Sequence, residues 1–232
     1  MPYRRLPKSD AARLKALKTL LDNNDIYTAR NRFIDWKTLN MAQPLYDRLL
    51  TATEQLRLSR LALKRYNTRM GKLHHNAWMY VSHFVQVLIM SVERGEIRRS
   101  LLELYGLPQD ATAVPDITTA GKLMEWGKKI VEGEKARVKK GGRPIYNPSL
   151  GMLNTHYDIF AEAVRQQQAL QERCLKDSRD IQELRPKVDE VILDLWNQIE
   201  KHYESEPPEV RFKACRKFGV IYYYRRHEEH SY

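Results

Sequence analysis

A chain of 232 residues with 42% hydrophobic content carries enough apolar mass for a packed core, which excludes a disordered tail protein. The 30% charged fraction, with only ten glycines and ten prolines, is the composition of solvated helices with one apolar stripe, so an all-α fold is expected. A formal net charge of +11 would attract nucleic acid, anionic headgroups or an acidic protein, but it speaks to association and not to fold.

The first eight residues read as an extended arm, because Pro2 and Pro7 each remove a backbone donor. Ser9 is placed to cap a short helix that carries Leu14, Leu17, Leu20 and Leu21 and ends in the polar run from Asp22 to Asp25. From Asp35 the apolar positions Leu45, Leu49, Ala52, Leu56, Ser59, Leu63, Tyr66 and Met70 alternate four and three apart, the seam of a helix packed lengthwise on another. Leu50, Leu58 and Leu61 widen that stripe and favour a bundle. One long helix is predicted from about Asp35 to Met70, with a kink or fresh start at Pro44, and Gly71 is the predicted joint to a second.

That second helix holds the most apolar stretch of the chain, Leu73 to Val92, which lies between Lys72 and Glu93 without a formally charged residue. Roughly 20 apolar residues can span a bilayer. Three His, an Asn, a Gln and two Ser within this run argue for a bundle instead, and no membrane span is expected. After Gly95 a short helix is predicted over Ile97 to Tyr105, then a loop from Gln109 to Thr118. Thr118 or Thr119 caps the next helix, which Gly121, Gly127 and Gly133 should make the least rigid, and which runs out in a basic, glycine-rich corner before Pro144. Two further long helices are predicted, from Asn147 or Ser149 to a break near Ser178 and from Ile181 to about Tyr203, with Pro186 in the first turn of the latter or kinking it. A short basic helix over Glu209 to Lys217 follows. Val220 to Tyr224 is a strand candidate whose partner would be the N-terminal arm or a second subunit.

No phosphate-binding loop, dinucleotide fingerprint, nucleophile elbow, zincin helix or paired Glu-x-x-His motif is present. No catalytic residue, metal or cofactor is therefore assigned, and a non-catalytic protein is favoured over an enzyme. One polar stripe stands out: His75, Met79, His83, Gln86 and Met90 follow helical spacing through the apolar run. If it faces a pocket, His83 and Gln86, with Tyr80 nearby, are candidate ligand-binding residues; otherwise they pin helix register by hydrogen bonds to neighbours. A nucleic-acid-binding alternative rests on Lys139, Lys140 and Arg143 in the basic corner. It also draws on the Tyr-Arg-Arg triplets at the two ends, with Arg4, Arg5, Arg225 and Arg226 as phosphate contacts and tyrosines to stack on bases. Tyr and Arg equally cover apolar surface at edges and interfaces. Cys174 and Cys215 form neither metal-ligand spacing nor a disulfide framework, which points to a reducing, cytoplasmic location. No apolar segment follows the basic start, so no secretory signal is expected and the mature chain should begin near Met1.

The opening MPYRRLP and the segment YVSHFVQVL resemble a group of uncharacterised, mostly helical bacterial proteins, over most of the chain. The resemblance implies a soluble bacterial helical protein and supplies no activity or site. The expectation is an antiparallel bundle of four long helices in one domain over residues 1–232. The arm occupies 1–8, a helical insertion 109–148 lies between the helix pairs, and 205–232 form a basic Tyr/Arg-rich segment. The function expected is that of an interaction or scaffold protein binding a protein partner or a second copy. Nucleic-acid binding through the basic surface and a small-ligand or enzymatic site around His83 are the alternatives.

Overall fold

Ser9 caps the first helix as its position predicts: its Oγ accepts from the Ala12 N–H at 3.2 Å, and α1 runs Asp10–Leu21 with Ala16, Leu17 and Leu20 buried. The structure, a computed structural model, describes residues 2–27 and 33–225. It is an all-α fold. After a 3-10 turn at Asn24–Tyr27 come α2 (Trp36–Glu93), a 3-10 helix (Arg99–Tyr105), α3 (Ala120–Lys139), α4 (Leu150–His202) and α5 (Pro208–Lys217).

The four long helical stretches are all present, but they run as two continuous helices of 58 and 53 residues. The joint expected at Gly71 and the break expected at Ser178 are both helical, and the helices continue through Pro44 and Pro186. The physical reason is one of scale. A glycine in a helix costs about 1 kcal/mol and a proline about 3, whereas α2 and α4 bury a regular seam against each other. Contacts that climb one helix descend the other: Thr38 meets Asp194 and Ser59 meets Asp177, and farther along Tyr66 meets Gln166 and Asn67 meets Gln167. The pairing is antiparallel. Leu50, Leu58 and Leu61, expected to widen the buried stripe, are instead 39%, 57% and 38% exposed.

The chain divides into two compact units, and both long helices contribute to each. The terminal unit comprises Met1–Arg60 with Arg173–Tyr232 and the central unit Leu61–Glu172. The terminal core gathers Leu17 and Leu20 of α1, Leu49 of α2, Leu195, Trp196 and Ile199 of α4, and Cys215 and Phe218 near the end. Its two chain ends meet in a small antiparallel sheet: β1 (Tyr3–Arg4) pairs with β2 (Tyr222–Tyr223), Tyr3 opposite Tyr223. The strand predicted near the C-terminus thus finds its partner in the arm. Both cysteines are free thiols.

The central core gathers Val81, Phe84 and Leu88 of α2 with Leu102, Tyr105, Leu123, Ile130 and Phe160. Thr119 caps α3 by accepting from the Lys122 N–H, and Ser149 caps α4 by accepting from the Met152 N–H, each at 3.3 Å. Two of the α3 glycines have a packing role. A Cβ at Gly127 would overlap the Tyr157 ring, and one at Gly133 would lie 2.6 Å from Cδ1 of Tyr105, so these glycines are notches that receive aromatic rings.

Candidate interaction surface

The uncharged stretch of α2 is two-faced. Ala77, Val81, Phe84, Val85, Leu88 and Ile89 turn into the central core, while His75, Trp78, His83, Gln86 and Met90 are exposed and Met79 is half-buried. The face is accessible in substance: Trp78 is 37% and Met90 52% exposed. The polar stripe therefore faces outward, which corrects the inward orientation expected of His83 and Gln86. Gln86 reaches only Ser82 on its own helix, at 3.5 Å, and Trp78 stacks beside His75. Tyr80 is half-buried on another side of α2, where its ring stacks on His156 with centroids 4.0 Å apart, so it does not join His83 in one site. Lys72 and Glu93, both exposed, close the stripe at its two ends.

The register-pinning role considered for His83 and Gln86 falls instead to Ser59 and Asp177. Ser59 occupies a seam position of α2 and donates its hydroxyl to the Asp177 carboxylate at 2.5 Å; the two residues are 4% and 7% exposed. A buried polar pair in a largely apolar seam favours one register, because any slip leaves a buried carboxylate without its donor. The sequence signal was the serine interrupting a leucine-rich spacing.

The basic corner after α3 is built on a buried network that spacing alone did not reveal. Glu134, fully buried, accepts from Tyr105 Oη at 2.5 Å, from Arg137 Nε at 2.9 Å and Nη2 at 2.8 Å, and from the Ile145 N–H at 3.1 Å. Arg137 Nη2 also donates to the Arg143 carbonyl at 2.8 Å, which ties the turn to the helix. Burial, and then the neighbouring Glu134 carboxylate, hold the Tyr105 phenol well above its ordinary pKa. Lys139, Lys140 and the Arg143 side chain remain exposed, beside a cleft of about 640 Å³ lined in part by Ser91, Glu96, Arg98, Arg137 and Tyr146. The i,i+3 pair Glu134 and Arg137 was visible in the sequence, but Tyr105 lies 29 residues away and joins them only through the fold.

The terminal Tyr/Arg residues are occupied within the terminal unit. Arg4 donates to Asn197 and Glu200, each at 2.8 Å, Tyr222 donates to Glu200 at 2.6 Å, and the Arg225 guanidinium lies 4.3 Å from the Tyr3 ring centre. Arg5 is exposed, its backbone N–H donating to the Ile221 carbonyl, and Arg226 lies outside the described residues.

Among the described residues no group of three or more His, Cys, Asp and Glu is arranged to hold a metal ion, and no helix is long and apolar enough to cross a membrane. No family model, curated protein or solved structure matches the chain.

Proposed function

We propose that the protein is a non-catalytic helical interaction protein, and that the outer face of α2 between Lys72 and Glu93 is where its partner docks. One observation carries this reading: a 20-residue run without formal charge displays Trp78, Met90 and three half- or fully exposed polar neighbours on its outer side, while its other side completes a core. Exposed Met and aromatic side chains are the residues enriched at the centres of protein interfaces, and removal of charge from such a face lowers the desolvation cost of covering it. The rim fits as well, since the charged residues stand at the ends of the stripe and not within it.

A photo-crosslinking amino acid at Met90, in the full-length protein in cells, tests the reading against the same group at exposed Glu172 on α4. A discrete adduct from position 90, lost when Met79→Glu and Gln86→Glu are added, is the expected result. No adduct above that from position 172 would overturn it.

A further inference from the structure

The structure assigns the occupant of this face: a second copy of the same chain, laid antiparallel along α2. The inference rests on the interaction reading above and names its partner. Lys72, His75, Met79, Gln86, Met90 and Glu93 are spaced so that the pattern reads the same from both ends, with gaps of three, four, seven, four and three residues. A two-fold axis beside His83 then sets Lys72 against Glu93 of the second copy, His75 against Met90, and Met79 against Gln86. Each pairing occurs twice, as an isologous contact requires.

Charge decides the direction. A parallel pair would bring Lys72 onto Lys72 and Glu93 onto Glu93, whereas the antiparallel pair closes both ends of the seam with opposite charges. Methionine against the edge of an imidazole is a favourable contact, and Met79 can adapt to the amide of Gln86. Lys72 and Glu93 are both exposed, and the stripe they bound is about 33 Å long at the helical rise, enough for some six turns of contact. The gap of seven around the axis is filled by His83, which lies one residue, about 1.5 Å along the helix, from its own symmetry mate.

Sedimentation equilibrium of the full-length protein reads the association directly. A dimer is expected, weakened about 5-fold or more by Lys72→Glu and by Glu93→Lys singly, and returned to within about 2-fold of the original when the two are combined, since the swap restores opposite charges at both ends. In a Cys174→Ser background, His83→Cys should oxidise to a covalent dimer. His75→Cys should do so only when mixed with Met90→Cys. Circular dichroism confirms that these surface variants keep their helices.

A protein that stays monomeric at every concentration overturns the inference. So does a dimer indifferent to the charge swaps, or one in which His75→Cys crosslinks to itself, the mark of a parallel pair. A monomer that still gives the discrete Met90 adduct in cells would reject the second copy as occupant and leave the interaction face standing. Loss of both removes the two readings together.

Discussion

The terminal unit holds an ion-pair cluster that stays partly in water, and the central unit holds one pair, Glu134 with Arg137, that does not. Asp10 and Arg13 of α1 meet Arg185 and Asp189 of α4 in a four-charge cluster, Arg185 to Asp10 at 2.7 and 2.8 Å and Arg13 to Asp189 at 2.7 and 2.8 Å. Its outer side chains, Arg185 and Asp189, are 42% and 41% exposed, while the Glu134 and Arg137 side chains are 0% and 3% exposed. The difference lies in what happens when a partner is lost. Water can solvate the survivor in the terminal cluster, where such pairs contribute about 0–1 kcal/mol. No water replaces the partner in the central network, so breaking it strands a charge even though forming it repaid its own desolvation only narrowly.

Removing the buried carboxylate should therefore have the largest effect. Glu134→Ala leaves the Arg137 guanidinium and the Ile145 N–H without their main acceptor and is expected to cost about 3–5 kcal/mol, read as a fall in the urea midpoint. Lost protection against hydrogen exchange should concentrate in α3 and the turn at Gly141. A cost below about 1 kcal/mol would place this pair with the half-exposed ones and erase the contrast.

Packing in the central unit gives the next largest effect. Gly127→Ala pushes a methyl into the Tyr157 ring, whose hydroxyl donates to the Met124 carbonyl at 2.9 Å on the same helix, so the ring cannot retreat without giving up that bond. Overpacking of this kind costs about 1–3 kcal/mol. A variant as stable as the parent would show that the ring has room to move.

These cases also mark what could be read in advance. Caps and ends were legible: Ser9 and the Thr118 or Thr119 cap needed only local chemistry, and the strand candidate Val220–Tyr224, of which Tyr222–Tyr223 pair, needed only its β-branched and aromatic content. The seam from Leu45 to Met70 was legible because a period survives in one dimension. Gly71 and Ser178 were misread as boundaries because the contribution that overrides a local helix penalty comes from the opposite helix, about 100 residues away in the chain. The orientation of His83 was misread for a different reason. An uncharged run need not be buried on every side: much of any protein surface is apolar, and the stripe holding His83 is the side displayed. Of the Tyr105–Glu134–Arg137 network only the i,i+3 spacing of Glu134 and Arg137 is visible in the sequence, because Tyr105 joins it through tertiary structure.

The terminal cluster predicts a smaller effect with a pH signature. The Arg185 hydrogen bond holds the Asp10 carboxyl below its ordinary value of 3.8. A carboxylate with a depressed folded pKa contributes stability that is fully present above the unfolded value and is lost as pH falls through the folded one. Asp10→Asn should cost about 1 kcal/mol near neutral pH, and the gap between variant and parent should close as the pH is taken below 3.8. A gap that persists undiminished in acid would assign the contribution to helix capping or packing and not to the ion pair.

The smallest effect has the opposite sign and tests the continuity of α2. Gly71 is exposed inside the helix and a Cβ there would meet nothing within 4 Å, unlike one at Gly127. With no clash to offset it, Gly71→Ala gains only the difference in helix propensity, up to about 1 kcal/mol in favour of the fold. Hydrogen-exchange protection should rise in the turns on either side of position 71, and the terminal cluster should keep its acid titration unchanged. If the alanine instead lowers stability, residue 71 does not sit in an open helical turn in solution. The joint suggested by the glycine would then be real, and the seam proposed from Lys72 to Glu93 would begin at a bend and not within a straight helix.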